Sequence, residues 1–198
     1  MSRVEFWYDF ASTYSYLTAV RIEGLAAGAG AEVVWRPFLL GPIFQAQGWT
    51  TSPFQIYPAK GRYMIRDMQR LAADRGLVFH MPIQFPQNGL KAARMALDAA
   101  GEGAIGSFTR AVFEAEFAHS QVISESEVLV VICAKLGLDF ARLFRRSEMP
   151  ETKQALRAQT ERAQALGVFG APSFVTADGE LFWGDDRLEY ALAHAARL

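Results

Sequence analysis

The order of strand and helix patterns constrains the fold of this chain more than any other feature of its sequence. Residues 4–10 are apolar and aromatic, residues 11–27 carry apolar side chains close to helical spacing, and residues 32–40 return to a strand pattern. Gly28 and Gly30 mark the predicted end of the helix. Two strands joined by a helix predict a right-handed β-α-β unit with parallel strands.

The C-terminal part returns to strand patterns after a long helical stretch. Residues 59–166 carry apolar side chains at helical spacing. Residues 173–177 and 181–183 are predicted strands that flank a two-residue hairpin turn at Asp178-Gly179. A final short helix is expected to open at residues 185–186.

Local signals place the helix starts and one loop within this pattern. Asn88 is predicted to cap a helix, residues 124–127 to form a capping box, and Pro150 to lie in the first turn of a long helix. Residues 41–58 contain turn residues and aromatics with little periodicity. We predict an ordered, functional loop there, because loops of this length seldom persist otherwise.

These elements predict a split α/β fold, in which a β-α-β unit and a β-β-α unit form one sheet domain that is interrupted by a helical insertion. We expect residues 1–40 and about 150–198 to form the sheet domain, and about 59–149 to form an all-helical insertion. The length of 198 residues suits one domain that carries such an insertion, and 51% hydrophobic residues suffice for a core.

Composition excludes several classes of protein. A single cysteine, Cys133, cannot form an internal disulfide or a Cys-x-x-Cys redox motif. The 20 Lys and Arg residues balance 21 Asp and Glu residues, which argues against nucleic acid as a partner. Glu5 and Asp9 interrupt the early apolar stretch, and no run approaches the length of a membrane span. We therefore expect a cytoplasmic protein with no membrane partner.

Ser12 lies where the first predicted strand passes into the first predicted helix. One interpretation is an N-cap hydroxyl, which is worth about 1 kcal/mol. The other is that residues 12–15 occupy the place of the Cys-x-x-Cys motif in thioredoxin-like proteins, where a helix N-terminus favours an anion. A serine there cannot exchange disulfides, but its hydroxyl can donate to a thiolate that another molecule supplies.

Pro172 precedes the strand that begins the C-terminal hairpin. A trans proline at the first residue of a strand is one interpretation. In thioredoxin-like folds, however, this place holds a cis-proline that faces the helix N-terminus, and the preceding residue offers its backbone to an extended ligand. Ser12 and Pro172 together indicate such a site more specifically than either residue alone.

Charged residues near two predicted helix starts are further candidates. Asp185 and Asp186 suit the capping of the last helix, and one of them could cap while the other holds the ammonium of a γ-glutamyl group. Lys60 and Arg62 lie near a helix start, where a cation is poorly placed against the helix dipole. That misfit favours a functional role, although a solvated surface position explains them equally well.

Several other patterns in the sequence do not by themselves predict a function. Residues 101–106 match G-x-G-x-x-G, but they follow a helix rather than a strand, so the nucleotide-binding context is missing. His80, His119 and His194 are scattered without metal-ligand spacing, so no metal site is expected. The aromatic residues of 41–58 fit loop packing and the rim of an aromatic pocket equally well.

Taken together, the motifs resemble the 2-hydroxychromene-2-carboxylate isomerase family, relatives of kappa-class glutathione transferases within the DsbA-like thioredoxin superfamily. One position departs from the usual pattern of that family: Thr13 stands where a proline usually follows the serine, and we expect the hydroxyl of Ser12 to keep its place. The segments that carry the resemblance are residues 8–17, 36–41, 58–64, 85–88, 167–172 and 182–187.

The resemblance implies a bound reduced glutathione. The tripeptide would lie extended before Pro172 and pair with the backbone of Ala171, while Ser12 would bind its sulfur and Lys60 one of its carboxylates. The remaining residues implied in glutathione binding, at the γ-glutamyl end, are Trp183, Gly184, Asp185 and Asp186.

The resemblance also implies a reaction. A thiolate would add reversibly to an aromatic enone acid, so that rotation and elimination interconvert 2-hydroxychromene-2-carboxylate and trans-o-hydroxybenzylidenepyruvate. Phe44, Trp49 and Thr50 are the expected residues of the substrate pocket, and a homodimer is the expected assembly. Two alternatives stay open: a kappa-like glutathione transferase that releases a conjugate, and a thioredoxin-like binding protein without catalytic activity.

Overall fold

The computed structural model describes residues 2–198 and contains one mixed four-stranded sheet. Its strands are β1 (Ser2–Tyr8), β2 (Ala31–Pro37), β3 (Ser173–Thr176) and β4 (Leu181–Trp183), in the order β2-β1-β3-β4. β1 pairs in parallel with β2 and antiparallel with β3, which pairs antiparallel with β4. The predicted β-α-β and β-β-α units therefore share one sheet.

β1 is the central strand, and its side chains alternate between two hydrophobic cores. Phe6 and Tyr8 pack into the larger core, whereas Trp7 points to the opposite face and packs with Phe38 and Val175. Phe6 lies opposite Trp35 on β2, and the two rings meet edge to face at 5.2 Å. From Phe6 to Tyr8 both faces of β1 are buried, which explains why these three consecutive residues are all aromatic.

The predicted helix of residues 11–27 is wrong in one respect, because two helices replace it. They are α1 (Thr13–Ala19) and α2 (Ile22–Gly28). Arg21 leaves the helical conformation between them, and its guanidinium binds Asp185 and Glu189 near the start of the last helix. The interruption between α1 and α2 coincides with this tertiary ion pair, which the apolar periodicity of the sequence could not predict.

Residues 41–58 are also more regular than the predicted loop. They contain most of α3 (Leu40–Ala46) and all of α4 (Pro53–Ile56). Ser52 caps α4 by accepting a hydrogen bond from the Phe54 amide at 3.3 Å, and Pro53 occupies its first turn. Both helices are too short to show a period in the sequence.

The helical region was predicted well in extent and less well at its helix starts. Gly89 rather than Asn88 is the N-cap residue of the next helix, and Asn88, one residue before it, accepts a hydrogen bond from Leu90 N at 3.1 Å. The predicted capping box at 124–127 is wrong, since Glu125 is the N-cap residue without a side-chain capping bond and Lys91 binds Ser124 O and the Ser126 hydroxyl. The helices are α5 (Pro58–Asp74), α6 (Leu90–Ala99), α7 (Ile105–Phe117), α8 (Ser126–Leu136), α9 (Phe140–Ser147), α10 (Pro150–Ala165) and α11 (Leu188–Ala195), with 3-10 turns at Ala100–Glu102 and Asp185–Arg187.

The C-terminal hairpin has a three-residue loop rather than the predicted two-residue turn. Thr176 N donates to Glu180 O at 3.1 Å, which leaves residues 177–179 in the loop. Gly179 has a φ of 87°, the left-handed conformation that such a loop requires at its last position.

One core joins the sheet to the helical region. Phe10 and Tyr8 meet Phe113 of α7 with ring centroids 5.0 and 6.0 Å apart, and the Tyr8 hydroxyl forms a buried 2.6 Å hydrogen bond with Thr109. The helical region therefore packs directly on the strand that leads into Ser12. Across residues 2–198, no helix combines the length and the apolar character needed to cross a membrane.

Candidate active site

Ser12 caps α1 and faces the proline loop before β3. Its backbone is extended, and its Oγ accepts a hydrogen bond from Ser15 N at 3.2 Å. The same hydroxyl donates to the carbonyl oxygen of Ala171 at 2.9 Å. Ser12 is 8% exposed, so only one edge of the hydroxyl is open to the cleft described below. The N-cap interpretation and the proximity to Pro172 are therefore both confirmed.

The Ala171–Pro172 peptide bond is cis, and the surrounding backbone is packed closely. A Cβ atom on Gly170 would lie 2.5 Å from the indole nitrogen of Trp183, so the Trp183 ring packs directly on the backbone of Gly170. Gly184 N donates to Pro172 O at 2.9 Å, which extends the pairing of β3 and β4 by one bond. The backbone of Ala171 is thereby held against Ser12.

The two adjacent acids, Asp185 and Asp186, have different surroundings. Asp185 is 4% exposed and accepts hydrogen bonds from Thr18 at 2.9 Å and from Arg75 at 2.6 Å, in addition to Arg21. The Asp186 side chain is 73% exposed and pairs with Arg187 at 2.7 Å. Neither carboxylate caps the following helix, so the predicted capping role is wrong: ion pairs to other helices hold Asp185 instead.

Lys60 lies in the first turn of α5 with its Nζ 4.9 Å from the ring centre of Tyr57. It is exposed, and no ion pair to it occurs within residues 2–198. Arg62 does not line the cleft, so of these two predicted candidates only Lys60 belongs to it.

One cleft of about 1720 Å³ brings the predicted site residues together. Its walls are the end of the sheet, the α3–α4 segment, α5 and residues 85–90. The Gln55 amide donates to Phe85 O at 2.6 Å and joins the α3–α4 segment to residues 85–90. The predicted residues that line this cleft are Ser12, Phe44, Trp49, Thr50, Lys60, Ala171, Pro172, Trp183, Gly184, Asp185 and Asp186.

Charge is distributed unevenly over the cleft. We call the lining residues of 39–54 and 85–90 the uncharged side, because none of them is Asp, Glu, Lys or Arg. Its side chains are aliphatic, aromatic, amide or hydroxyl, and the rings of Phe44 and Trp49 lie 5.5 Å apart. We call Lys60, Asp67, Arg75, Asp185 and Asp186, which also line the cleft, the charged side. One further acid, Asp9, lines the cleft where its carboxylate accepts a hydrogen bond from Leu40 N of the uncharged side.

Asp9 is a cleft residue that the sequence analysis did not single out. Its carboxylate accepts hydrogen bonds from Ala11 N at 2.8 Å and from Leu40 N at 2.6 Å. It thus ties the loop that carries Ser12 to the start of α3. Burial raises the pKa of Asp9, while the two backbone donors lower it. The sequence signal that could have identified Asp9 is an acidic residue directly after a buried strand.

Tyr14 and Asp67 form a second pair that the sequence analysis missed. The Tyr14 hydroxyl donates to Asp67 at 2.8 Å, and burial together with this contact raises the pKa of Tyr14. Asp67 shares a helical face with Leu71 and Arg75, at intervals of four residues, and all three line the cleft. That spacing could have identified this face of α5.

Glu116 on α7 is a buried acid without a hydrogen-bond partner among residues 2–198. It is 0% exposed, and neither carboxyl oxygen is bonded. Burial raises its pKa well above the usual range, and the nearby Asp9 adds to the shift. Burial therefore favours the protonated form of the Glu116 carboxyl group.

A sequence profile of the DsbA-like thioredoxin domain matches residues 3–195. The chain belongs to this family. It is 28% identical over 188 residues to 2-hydroxychromene-2-carboxylate isomerase of Sphingobium xenophagum, with 94% of each chain covered. It is 27% identical to glutathione S-transferase kappa 1 of Homo sapiens, covering 96% of this chain and 89% of the human protein.

The fold comparison agrees with these relatives. A solved 2-hydroxychromene-2-carboxylate isomerase superimposes with a TM-score of 0.88 at 24% identity, covering 98% of this chain and 95% of the other. The predicted thioredoxin-like fold and the predicted resemblance are confirmed. The relatives also support the prediction that this member of the DsbA-like family is an isomerase-like enzyme.

Proposed function

We propose that this DsbA-like protein is a glutathione-dependent cis–trans isomerase of an aromatic conjugated enone, of the type that interconverts 2-hydroxychromene-2-carboxylate and trans-o-hydroxybenzylidenepyruvate. The observation that carries the proposal is the hydrogen bond of 2.9 Å between the Ser12 hydroxyl and the Ala171 carbonyl, beside a cis proline. One hydroxyl stands where a redox protein of this fold needs a thiol. The site can therefore stabilise a thiolate but cannot exchange a disulfide.

The cleft fits glutathione better than a thiol of the chain itself. Cys133 is buried, and its burial raises its pKa to about 11, so it does not supply a thiolate at pH 7. Lys60 is free to bind the glycyl carboxylate, and the backbone of Ala171 is positioned to pair with the cysteinyl residue. Of the two adjacent acids, Asp186 is the one that can bind the γ-glutamyl ammonium, since Asp185 is buried by its ion pairs, whereas Asp186 and its partner Arg187 are both exposed.

The Ser12 hydroxyl changes partner when this ligand binds. In the structure it donates to Ala171 O, the acceptor that an extended peptide ligand would use. An amide of the ligand that binds Ala171 O frees the hydroxyl to turn towards the sulfur. Ser12 then donates to the thiolate, while its Oγ keeps the bond from Ser15 N. A hydrogen bond to the charged form lowers the pKa of the thiol below its usual 8.5.

Bound glutathione supplies a thiolate that adds reversibly to the conjugated double bond, and rotation and elimination then return the other geometric isomer. The chain's residues hold the sulfur at Ser12 and the aromatic ring of the substrate between Phe44 and Trp49. No atom is gained or lost overall, so the product has the mass of the substrate. We propose that this takes place in the cytoplasm; homodimer formation stays a prediction.

A kappa-like glutathione transferase is the second candidate, because the similarity to the human kappa enzyme covers 96% of the chain. Mass spectrometry of the product separates the two activities. Isomerisation leaves the mass of the substrate unchanged, whereas transfer adds the mass of glutathione.

The decisive test is turnover of 2-hydroxychromene-2-carboxylate and of a neutral aromatic enone with reduced glutathione, in the wild type and in Ser12→Ala. We expect glutathione-dependent isomerisation that Ser12→Ala abolishes. Full activity in Ser12→Ala, or activity without glutathione, would contradict the proposal. If glutathione binds and no reaction occurs, the chain is a binding protein with this fold.

A further inference from the structure

The uneven charge of the cleft affects which class of enone can bind beside glutathione; we call this enone the second substrate. Residues 37–59 contain no Asp, Glu, Lys or Arg, and neither do residues 81–90. These two stretches supply the whole uncharged side. The side chains that they offer to a substrate are aliphatic, aromatic, amide or hydroxyl, and none of them is a cation.

Most residues of the charged side already have hydrogen-bond or ion-pair partners. Arg75 is paired with Asp185 at 2.6 Å, Asp186 with Arg187 at 2.7 Å, and Asp67 accepts from Tyr14 at 2.8 Å. Within residues 2–198, the only cation that lines the cleft and has no ion pair is Lys60.

Glutathione and a carboxylate substrate would compete for that cation. Glutathione carries two carboxylates, and its glycyl carboxylate takes Lys60 in the proposed arrangement. A carboxylate on the second substrate would then lose water of hydration on the uncharged side without gaining a cation, which is unfavourable. It would also meet the acids of the charged side, which outnumber the cations there.

A neutral carbonyl group, in contrast, finds suitable donors on the uncharged side. Gln45, Thr50 and Asn88 line it with amide or hydroxyl groups, which can donate to a ketone or aldehyde oxygen. Such a bond strengthens as negative charge develops on that oxygen during thiolate addition. The aromatic pair of Phe44 and Trp49 can pack on an attached ring.

We propose that the preferred substrate is an uncharged aromatic enone, a conjugated ketone or aldehyde without a carboxylate. This rests on the proposed glutathione-dependent isomerisation, but it replaces the carboxylate substrate of the type reaction by an uncharged one. The preference is expected to reside in the uncharged side alone, so a cation placed there should reverse it.

The test uses a matched pair of cis enones, benzylideneacetone as the ketone and benzylidenepyruvate as the acid. The kcat/KM of each cis-to-trans reaction is divided by its rate with glutathione alone, which removes the difference in intrinsic reactivity. We expect a ratio at least tenfold higher for the ketone. A second readout is calorimetric binding of the two trans products in the presence of S-methylglutathione, where the ketone should bind more tightly.

Two variants locate the preference. Gln45→Lys places a cation on the uncharged side and should raise the normalised kcat/KM of the acid about tenfold relative to the ketone. Gln154→Lys makes the same change on the exposed surface of α10, outside the cleft, and should leave the preference unaltered.

The outcomes separate this inference from the proposed function. The inference alone would be overturned by a higher normalised rate for the acid or by tighter binding of the acid. The same holds if the ketone is not turned over although glutathione forms a Ser12-dependent thiolate. Absence of any Ser12-dependent thiolate would overturn the proposed function and the inference with it. A ketone preference that is unchanged in Gln45→Lys would show that the uncharged side does not select the substrate and would also overturn the inference.

Discussion

The charged and uncharged sides of the cleft are built in different ways. On the charged side, ion pairs from distant segments hold the buried acid Asp185, which both Arg21 and Arg75 bind. On the uncharged side, a hydrogen bond from Gln55 to Phe85 O joins the short helix α4 to residues 85–90. If the proposed glutathione binding and substrate selection depend on these separate parts of the cleft, mutations should affect them separately.

The largest effect is expected at Ser12, where the two sides meet. Ser12→Ala removes the donor to the thiolate, and loss of one donor to a developing anion lowers turnover about 100- to 1000-fold. The lost N-cap costs about 1 kcal/mol of stability, so the protein should remain folded. Steady-state kinetics and thermal unfolding measure the two effects.

Ser15→Ala is the matched control. The Ser15 hydroxyl is buried three residues away with no partner among residues 2–198, and its backbone amide stays in place in the variant. Turnover within about twofold of the wild type is expected. An equal loss in Ser12→Ala and Ser15→Ala would mean that the first effect is structural rather than chemical.

A second prediction divides the charged side into a structural and a binding acid. Asp185→Asn leaves two arginines without their buried carboxylate and should lower the free energy of unfolding by about 3 kcal/mol. Asp186→Asn should change stability by less than about 0.5 kcal/mol because the group is exposed, yet weaken glutathione binding. Chemical denaturation and calorimetry test both, and equal stability losses would contradict the division.

The third prediction tests whether the two sides act independently. Lys60→Met should weaken glutathione binding about tenfold, which corresponds to about 1.4 kcal/mol, and leave the KM for the enone unchanged. Trp49→Ala should raise the KM for the enone and leave glutathione binding unchanged, because it removes one ring of the aromatic pair on the uncharged side. A coupling free energy above about 0.5 kcal/mol in the double variant would mean that the two sides are not separate.

The smallest effect concerns the core below the cleft. The pKa of Glu116 is raised in the folded protein, whereas an unfolded glutamate ionises near pH 4.3. Unfolding at higher pH therefore releases a proton, and stability falls as pH rises above about 4.3. Glu116→Gln removes this loss, so its stability relative to the wild type should rise by more than about 1 kcal/mol from pH 4 to pH 7. A difference that does not change with pH would mean that Glu116 is ionised in the core.

The sequence predicted the sheet and the residues of the cleft because both depend on local patterns. The aromatic strand before Ser12, the proline before the hairpin and the acids before the last helix are each recognisable within a few residues. Their meeting in space followed from the β-α-β and β-β-α order and from the family resemblance. Ser12 and Ala171 are 159 positions apart and form a hydrogen bond.

What the sequence could not predict depends on contacts between distant segments. The helix break at Arg21 and the burial of Asp185 arise from ion pairs across more than 100 positions. Asp9 joins the loop before α1 to the start of α3, and the raised pKa of Glu116 depends on its burial in the core. The short helices α3 and α4 lie below the length at which periodicity can be read.

The central claim is that Ser12 stabilises the thiolate of a bound glutathione, and a titration tests it most directly. The ultraviolet absorbance of thiolate is followed at pH 7 while reduced glutathione is added to the wild type, Ser12→Ala and Ser15→Ala. The account predicts a saturating thiolate signal in the wild type and in Ser15→Ala, and none in Ser12→Ala. A signal of equal size in all three proteins, or in none, would contradict it.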